Sequence, residues 1–508
     1  MVEIAQWAQK LKKSIEFSAP SGFYSDEFNL ELSIPASDVG AGTGRIFYTL
    51  DGSDPAESDT AMEYTSAIRI SAAPAAGLTV SAVDPVLFSG NYSAVAPGGY
   101  FFESTVKAPS ESAVDRCTVI RAAAMYDDGN FGPESGGVFF IGSPEEHIEG
   151  LAQSCAAAGR PLAVVSISVD YDDLFDSERG IYVKGSIFNN ALHEYLLANG
   201  RIKDAEVARS LDANYKQHGR EWERKASVSL LEVDADGAYE VISQLCGIRI
   251  QGNYSRSDLQ KGFRLYARGD YGKKNFKYPV FGADCKDGSG QAMDKFDTLV
   301  LRAGGNCAFT AKFNDVYWQS LLGDLNCETQ ANRPCVVYIN GEYWGLYVLQ
   351  EDYSDDYFED RYGVDKDSVV IYKGDAEKYA CGYKLDEGKL PKGESEDYFF
   401  RELLDFFKDH DDLSADADYD EFCRIVDETS VMDYFAAEIW INNKWDWPGK
   451  NWSMWKAGPA DGYDGRWRFM FYDMEFGGVS GDLAGYFVTA AELAVAMAVV
   501  IMRILFRL

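Results

Sequence analysis

At 508 residues the chain is longer than one ordinary hydrophobic core supports, so two or three domains are expected. Its composition, 46% hydrophobic and 25% charged, is that of a globular protein. A formal net charge of −33 argues against sequence-independent nucleic-acid binding and against docking on anionic lipid, and it fits a basic protein or peptide partner. The nine cysteines include no Cys-x-x-Cys, which argues against a zinc ribbon or redox motif and for buried thiols.

From Ile15 to Gly142 the texture is all-β, short alternating runs broken by Pro20-Ser21-Gly22, Asp51-Gly52-Ser53-Asp54-Pro55 and Asp127-Asp128-Gly129-Asn130. Arg45 to Leu50 alternates and then turns at Asp51-Gly52, as a hairpin should. Residues 15–142 therefore predict a small β-sandwich, with Ala72 to Ala113 reading as an insertion. Phe47-Tyr48-Thr49-Leu50-Asp51-Gly52-Ser53-Asp54-Pro55, with Pro20 to Tyr24 before it, resembles the C-terminal sandwich module of chitobiase and hexosaminidase. That resemblance implies a spacer or a glycan- or wall-binding module at the cell surface or outside the cell. Met1 to Gln6 lacks the layout of a signal peptide, which leaves a cytoplasmic chain, or one that begins inside a longer parent, as the alternative.

Residues 143–160 predict a linking helix, with Glu145 and Glu146 favourable in its first turn. Strands follow at Pro161 to Ile167, Ser227 to Val233, Gly247 to Gln251, Gly262 to Tyr266, Thr298 to Arg302 and Cys335 to Ile339. Helical patterns then dominate at Phe309 to Leu322, Tyr398 to Phe407 and Val431 to Asn442. Strands first and helices later predict an α+β domain over residues 161–508, β-rich over 161–350 and helical over 351–508. Asn340-Gly341 is a hairpin signal and is kept out of the site. The acidic stretches Asp352 to Asp367 and Asp409 to Asp420 lack the glycine and closing glutamate of a calcium loop, and Asp234 to Gly237 reads as a hairpin turn. The apolar run from Leu493 to Met502 is too short to span a bilayer; it reads as a buried helix or as a truncated or frame-shifted end.

Two acidic motifs carry the chemistry. Asp446 is followed five positions later by Asn451, and Asp473 closes the alternating run Trp467 to Tyr472, with Glu475, Phe476 and Gly477 behind it. Protein kinases space a catalytic Asp-x-x-x-x-Asn before a metal-binding Asp-Phe-Gly: one carboxylate orients the attacking hydroxyl, and the amide and second carboxylate hold magnesium. Asp446 reads alternatively as a helix-to-loop cap.

Several stretches in order then carry a family resemblance. They are Val164 to Ile167, Leu174-Phe175-Asp176, Gly180 to Gly185, Gly247 to Arg256 with Lys261 to Arg264, Val337 to Tyr347, and finally Asp446, Asn451 and Asp473. Over about Pro161 to Gly478 the chain resembles the CotH kinases, the spore coat protein H family of atypical bacterial protein kinases. The resemblance implies a two-lobed, kinase-like domain that uses ATP and Mg²⁺ to phosphorylate Ser or Thr of a protein. It implies Asp446 as the catalytic base and Asn451, Asp473 and Glu475 as metal ligands. It also implies Ser255, Arg256, Lys261, Arg264 and Glu351 as nucleotide contacts. Gly252 to Arg256 reads physically as a small-residue loop near phosphate or as an ordinary hairpin. Lys261, at the start of the following strand, reads as a group within reach of the phosphates, with Arg256 and Arg264 as cationic alternatives, or each of the three reads as a surface residue. Glu351 pairs with Lys261, binds the nucleotide or is simply solvated. Family members continue well past this motif, so the chain reads as truncated or atypical after residue 480. The substrate expected is rich in Lys or Arg and in Ser. A different class of function is a non-catalytic, carbohydrate-binding surface protein with a degenerate nucleotide site.

Overall fold

The computed structural model describes residues 4, 6–7, 13–35, 44–72, 77–89, 106–202, 205–234, 237–308, 310–374, 382–410, 413–443, 447, 450–460 and 462–478. Helices and strands are mixed, with strands prevailing, and the chain divides into two compact units. The first comprises residues 1–280, 294–303 and 333–350; the second comprises 281–293, 304–332 and 351–508.

The first unit opens with a five-stranded sheet built from β1 (Gly22–Tyr24), β2 (Arg45–Thr49), β3 (Met62–Glu63), β4 (Thr118–Met125) and β5 (Ser135–Ile141), in the order β1-β5-β4-β2-β3. The tight hairpin expected at Asp51-Gly52 is instead a longer loop. The Asp51 carboxylate accepts the Ser53 amide and hydroxyl and the Thr60 hydroxyl, and so shapes the turn locally. β4 is buried on both faces, which explains its nearly unbroken apolar run. Ile120, Ala122 and Ala124 join a core with Ile46, Ile70 and Phe139, while Val119 packs with Val138, Phe140, Val164 and Tyr338. Arg121 is tolerated inside β4 because Glu134 holds it in a two-pronged pair at 2.9 and 2.7 Å.

The expected linking helix is broken into Pro144–His147 and Leu151–Ala157, with Gly150 between them at φ 72°. Beyond it, β6 (Leu162–Val169), β7 (Arg224–Asp234), β8 (Gly237–Gln251), β9 (Gly262–Tyr266), β10 (Thr298–Arg302), β11 (Asn332–Ile339) and β12 (Glu342–Glu351) form a closed barrel in the order β6-β7-β8-β9-β10-β12-β11. Closure comes from a parallel pairing of β6 with β11, Ala163 opposite Cys335 through Ile167 opposite Ile339. Sequence reading located most of these strands but not the closure, because parallel partners so far apart leave no local signal.

The second unit holds the sheet β14-β13-β15-β16, made of β13 (Val370–Gly374), β14 (Tyr383–Glu387), β15 (Ser453–Lys456) and β16 (Arg468–Met470). Around it lie α1 (Asn314–Leu321), α2 (Asp355–Tyr362), α3 (Arg401–Asp409), α4 (Asp416–Ile425) and α5 (Glu428–Trp440). Asp427 caps α5 by accepting the amides of Thr429 and Ser430. α1 begins later than the sequence predicts, at Asn314 rather than Phe309; Gly304 and Gly305, both at positive φ, form a separate turn upstream. The two acidic stretches supply all of α2 and the first half of α4, not calcium loops. Seven of the described cysteines are buried free thiols, and Cys423 is half-buried. Among the described residues no helix is long and apolar enough to cross a membrane; residues 479–508, which include the apolar terminal run, lie outside them.

The hairpin joining β11 and β12 is of the two-residue, doubly left-handed type, with Asn340 at φ 50° and Gly341 at φ 82°. Asn340 also bonds to the neighbouring strand β6: its side-chain oxygen accepts the Val169 amide and its NH₂ donates to the Val169 carbonyl, both at 2.9 Å. Asn340→Ala removes both bonds and puts alanine where asparagine is preferred. We expect it to destabilise the protein by about 2 kcal/mol, read as a lower urea midpoint with unchanged slope.

Candidate active site

β15 and β16 are antiparallel, with Ser453 opposite Met470 and Trp455 opposite Arg468. Asn451 lies two residues before β15 and Asp473 three residues after β16, so that register carries both to the same end of the pair. Both are half-buried, and both have left-handed backbone, at φ 59° for Asn451 and 55° for Asp473. Of the described residues other than glycine only Asn340 and Asn442 share that conformation. Asparagine and aspartate tolerate it better than most residues, and such backbone gathers at functional sites. Asp446 lies outside the described residues.

The segment after Asp473 is clamped onto α1. The Met474 amide donates to Asp315 at 2.8 Å, and the Trp318 indole N–H donates to the Gly477 carbonyl at 2.9 Å. A side chain at residue 477 would meet that indole nitrogen at 2.6 Å, which is why glycine stands there. Glu475 is buried, and its Oε2 accepts the Asn306 amide at 2.7 Å. The turn at Gly305 approaches so closely that an added Cβ would lie 1.8 Å from the Glu475 Oε1. The Glu475 carboxylate thus closes the turn at Gly305.

On the first unit, Lys261 opens onto the interior rather than onto solvent. Its ammonium donates to the carbonyls of Phe88 and Asp258, each at 2.7 Å, and lies over the rings of Tyr215 and Tyr182. Burial pushes this amine well below the usual lysine range, with Lys184, Arg209 and Arg256 adding repulsion and Asp258 opposing. Arg256 is also buried and donates to the carbonyls of Gly252, Tyr215 and Gln217, as a clamp on its own loop would. Ser255 stands half-buried over Gly252, where an added Cβ would meet its hydroxyl at 2.4 Å. Arg264 is half-buried on β9, opposite Arg249 of β8.

Glu351, at the end of β12, takes part in a closed network of its own. Arg361 of α2 donates to both carboxylate oxygens at 2.7 Å, and the Ala331 amide donates at 2.8 Å. The partner that the sequence reading weighed, Lys261, is matched instead to carbonyl oxygens. Arg361 was not singled out from the sequence, although it stands ten residues after Glu351 in an acidic helix.

Glu438 was also missed. It sits on the apolar side of α5, fully buried in the core of the second unit, with the Tyr434 hydroxyl and the Asn443 amide beside it. Burial raises its carboxyl from 4.5 to about 8, so at neutral pH it is held mainly as the uncharged acid. Asn443 returns its backbone N–H to the Glu438 carbonyl at 3.2 Å, and Asn442 turns left-handed at φ 55°. The protonated acid is thus built into the end of the helix that leads toward Asp446 and Asn451. An acid inside an apolar helical pattern was the available signal.

Taken together, the site offers an amide oxygen and a carboxylate oxygen at one strand end, a donor set suited to a hard divalent cation that keeps some of its water. Among the described residues no three of His, Cys, Asp and Glu gather as a metal cluster. Residues 248–482 match the family model described as CotH kinase protein. No curated protein matches the chain.

Since the Glu438 carboxyl is raised on folding, its stabilising contribution is complete below pH 4.5 and is lost as pH rises through about 8. Glu438→Gln cannot ionise. Its melting temperature is expected to match that of the parent near pH 5 and to exceed it near pH 9, which thermal scans across pH would measure.

Proposed function

We propose that the chain is a Mg²⁺- and ATP-dependent protein kinase of the CotH type that phosphorylates Ser or Thr. The observation that carries this reading is the pairing of two left-handed, oxygen-bearing residues, Asn451 and Asp473, at one end of adjacent strands within the matched segment. In this reading Asn451 and Asp473 hold magnesium, which when bound draws charge from the phosphates. Asp446 orients the acceptor hydroxyl and takes its proton. Phosphoryl transfer depends mainly on positioning and charge neutralisation, so an aspartate of ordinary basicity suffices. Glu475 is the further metal-ligand candidate, and its Oε2 also accepts the Asn306 amide. Ser255, Arg264 and the lysine and arginine at 261 and 256 are the cationic and hydroxyl candidates for the phosphates, and Glu351 holds α2 through Arg361.

The acidic surface favours an acceptor rich in Lys or Arg and in Ser. The N-terminal sheet serves as a spacer or wall-contact module in the same proposal, at the cell surface. A second reading has one observation in its favour. Lys261 and Arg256 give hydrogen bonds to main-chain carbonyls, as they would in a non-catalytic surface protein whose nucleotide site has degenerated.

The test is transfer of label from γ-labelled ATP to a basic, Ser-rich peptide. We expect Mg²⁺-dependent label with the parent chain and a loss of at least about a hundredfold in Asp473→Ala. Equal label from parent and variant would remove Asp473 from the metal site. Equal label on neutral and basic peptides would remove the substrate preference.

A further inference from the structure

Two buried lysines of the first unit are met by one short turn from the segment that the sequence marks as an insertion. The Lys184 ammonium donates to the Val86 carbonyl, and the Lys261 ammonium donates to the Phe88 carbonyl at 2.7 Å. The Lys184 main-chain amide also donates to the Leu87 carbonyl at 2.9 Å. Three successive carbonyls of residues 86–88 therefore face cationic or N–H groups of the barrel side. The turn itself is locally made: Asp84 caps it by accepting the Val86 amide at 3.0 Å, and Pro85 presets its first residue. Phe88 anchors it, edge-on to Tyr182 at 5.5 Å and tilted against Phe175 at 6.4 Å. Its outer side is open, since Leu87 is 52% exposed, so the lysines lie one layer beneath the surface.

Lys184 and Lys261 both donate to this one turn, with Arg256 near Lys261 and Arg209 paired to Asp258 at 2.7 Å; a multiply charged anion satisfies such a cluster better than neutral carbonyl dipoles do. Burial lowers Lys184 to about 7 as well, with Asp84 opposing. The sign of the missing charge is set by this cluster: oxygen lone pairs already face the lysines, and phosphate oxygens would occupy the same positions with net charge added.

We propose that the Asp84–Phe88 turn is a removable cap over a polyphosphate-binding site formed by Lys184 and Lys261, and that the cap and the anion compete for the same two ammonium groups. This rests on the reading of Lys261 as a phosphate contact and adds to it Lys184, a gate, and a form of the site that is closed at rest. It also accounts for the buried state of Lys261 without a degenerate site.

The experiment is amine acylation of the whole protein, followed residue by residue by mass spectrometry, with and without tripolyphosphate. In the parent, Lys184 and Lys261 should react slowly. In Phe88→Ala, which removes the anchor, both should react at least about tenfold faster, and tripolyphosphate should restore the slow rate. Asp84→Ala, which removes the exposed cap of the turn and leaves Lys261 without any direct change, serves as the second variant, read at Lys261, should Phe88→Ala unfold, as judged by circular dichroism. Unchanged acylation in either variant while folded would overturn the proposal. So would faster acylation that tripolyphosphate does not suppress. A chain that shows the gated, anion-protected lysines yet never transfers phosphate keeps this proposal and refutes the kinase reading, so the two fail separately.

Discussion

The antiparallel pairing of Ser453 to Lys456 with Arg468 to Met470 is the constraint on which the candidate site depends. Asn451 and Asp473 stand 22 positions apart in sequence, and only this register brings the two motifs together. The pairing is secured by burial rather than by length. Trp452, Trp455, Trp467 and Phe469 are fully buried, and Tyr434 of α5 stacks on Phe469 at 4.4 Å and on Phe471 at 5.5 Å. Short strands are marginal alone, and aromatic cover on this scale supplies the stability they lack. α5 is consequently fixed to the same sheet, and with it the left-handed Asn442 and the protonated Glu438 at the start of the segment leading to Asp446.

A second dependency runs through the residues flanking the metal candidates. Asp315 and Trp318 on α1 hold the main chain of Met474 and Gly477, and Glu475 reaches back to the turn at Gly305. The strained backbone at Asp473 therefore lies between a strand on one side and a clamp on the other. Left-handed conformations outside glycine persist only where surroundings impose them. That gives the clamp a function beyond packing: it holds a carboxylate at a strand end in a conformation that the chain would not choose alone.

Much of this was legible in the sequence, for local reasons. The strands at 227–233, 262–266 and 298–302 announced themselves by β-branched and alternating runs, and Asn340-Gly341 by its turn chemistry; each rests on neighbours a few residues away. The closed barrel did not, because the β6–β11 pairing joins residues 163–167 to 335–339. The interior position of Lys261 did not either, since its partner carbonyl at Phe88 lies 173 residues away in a stretch that fitted no module. Glu475 shows the same limit from the other side: its residue type fits a metal ligand, and only the fold reveals that its Oε2 also accepts the Asn306 amide. Residue type and spacing point to oxygen donors and cations; long-range packing decides which of them are turned outward.

The central claim is that Asn451 and Asp473 share one divalent cation with a nucleotide. Electron paramagnetic resonance of Mn²⁺, added with a non-hydrolysable ATP analogue to the parent chain and to Asn451→Ala and Asp473→Ala, tests it without depending on the acceptor. The account predicts protein-bound Mn²⁺ in the parent that requires the analogue and that weakens sharply in both variants. Mn²⁺ binding that is the same in all three proteins would contradict it.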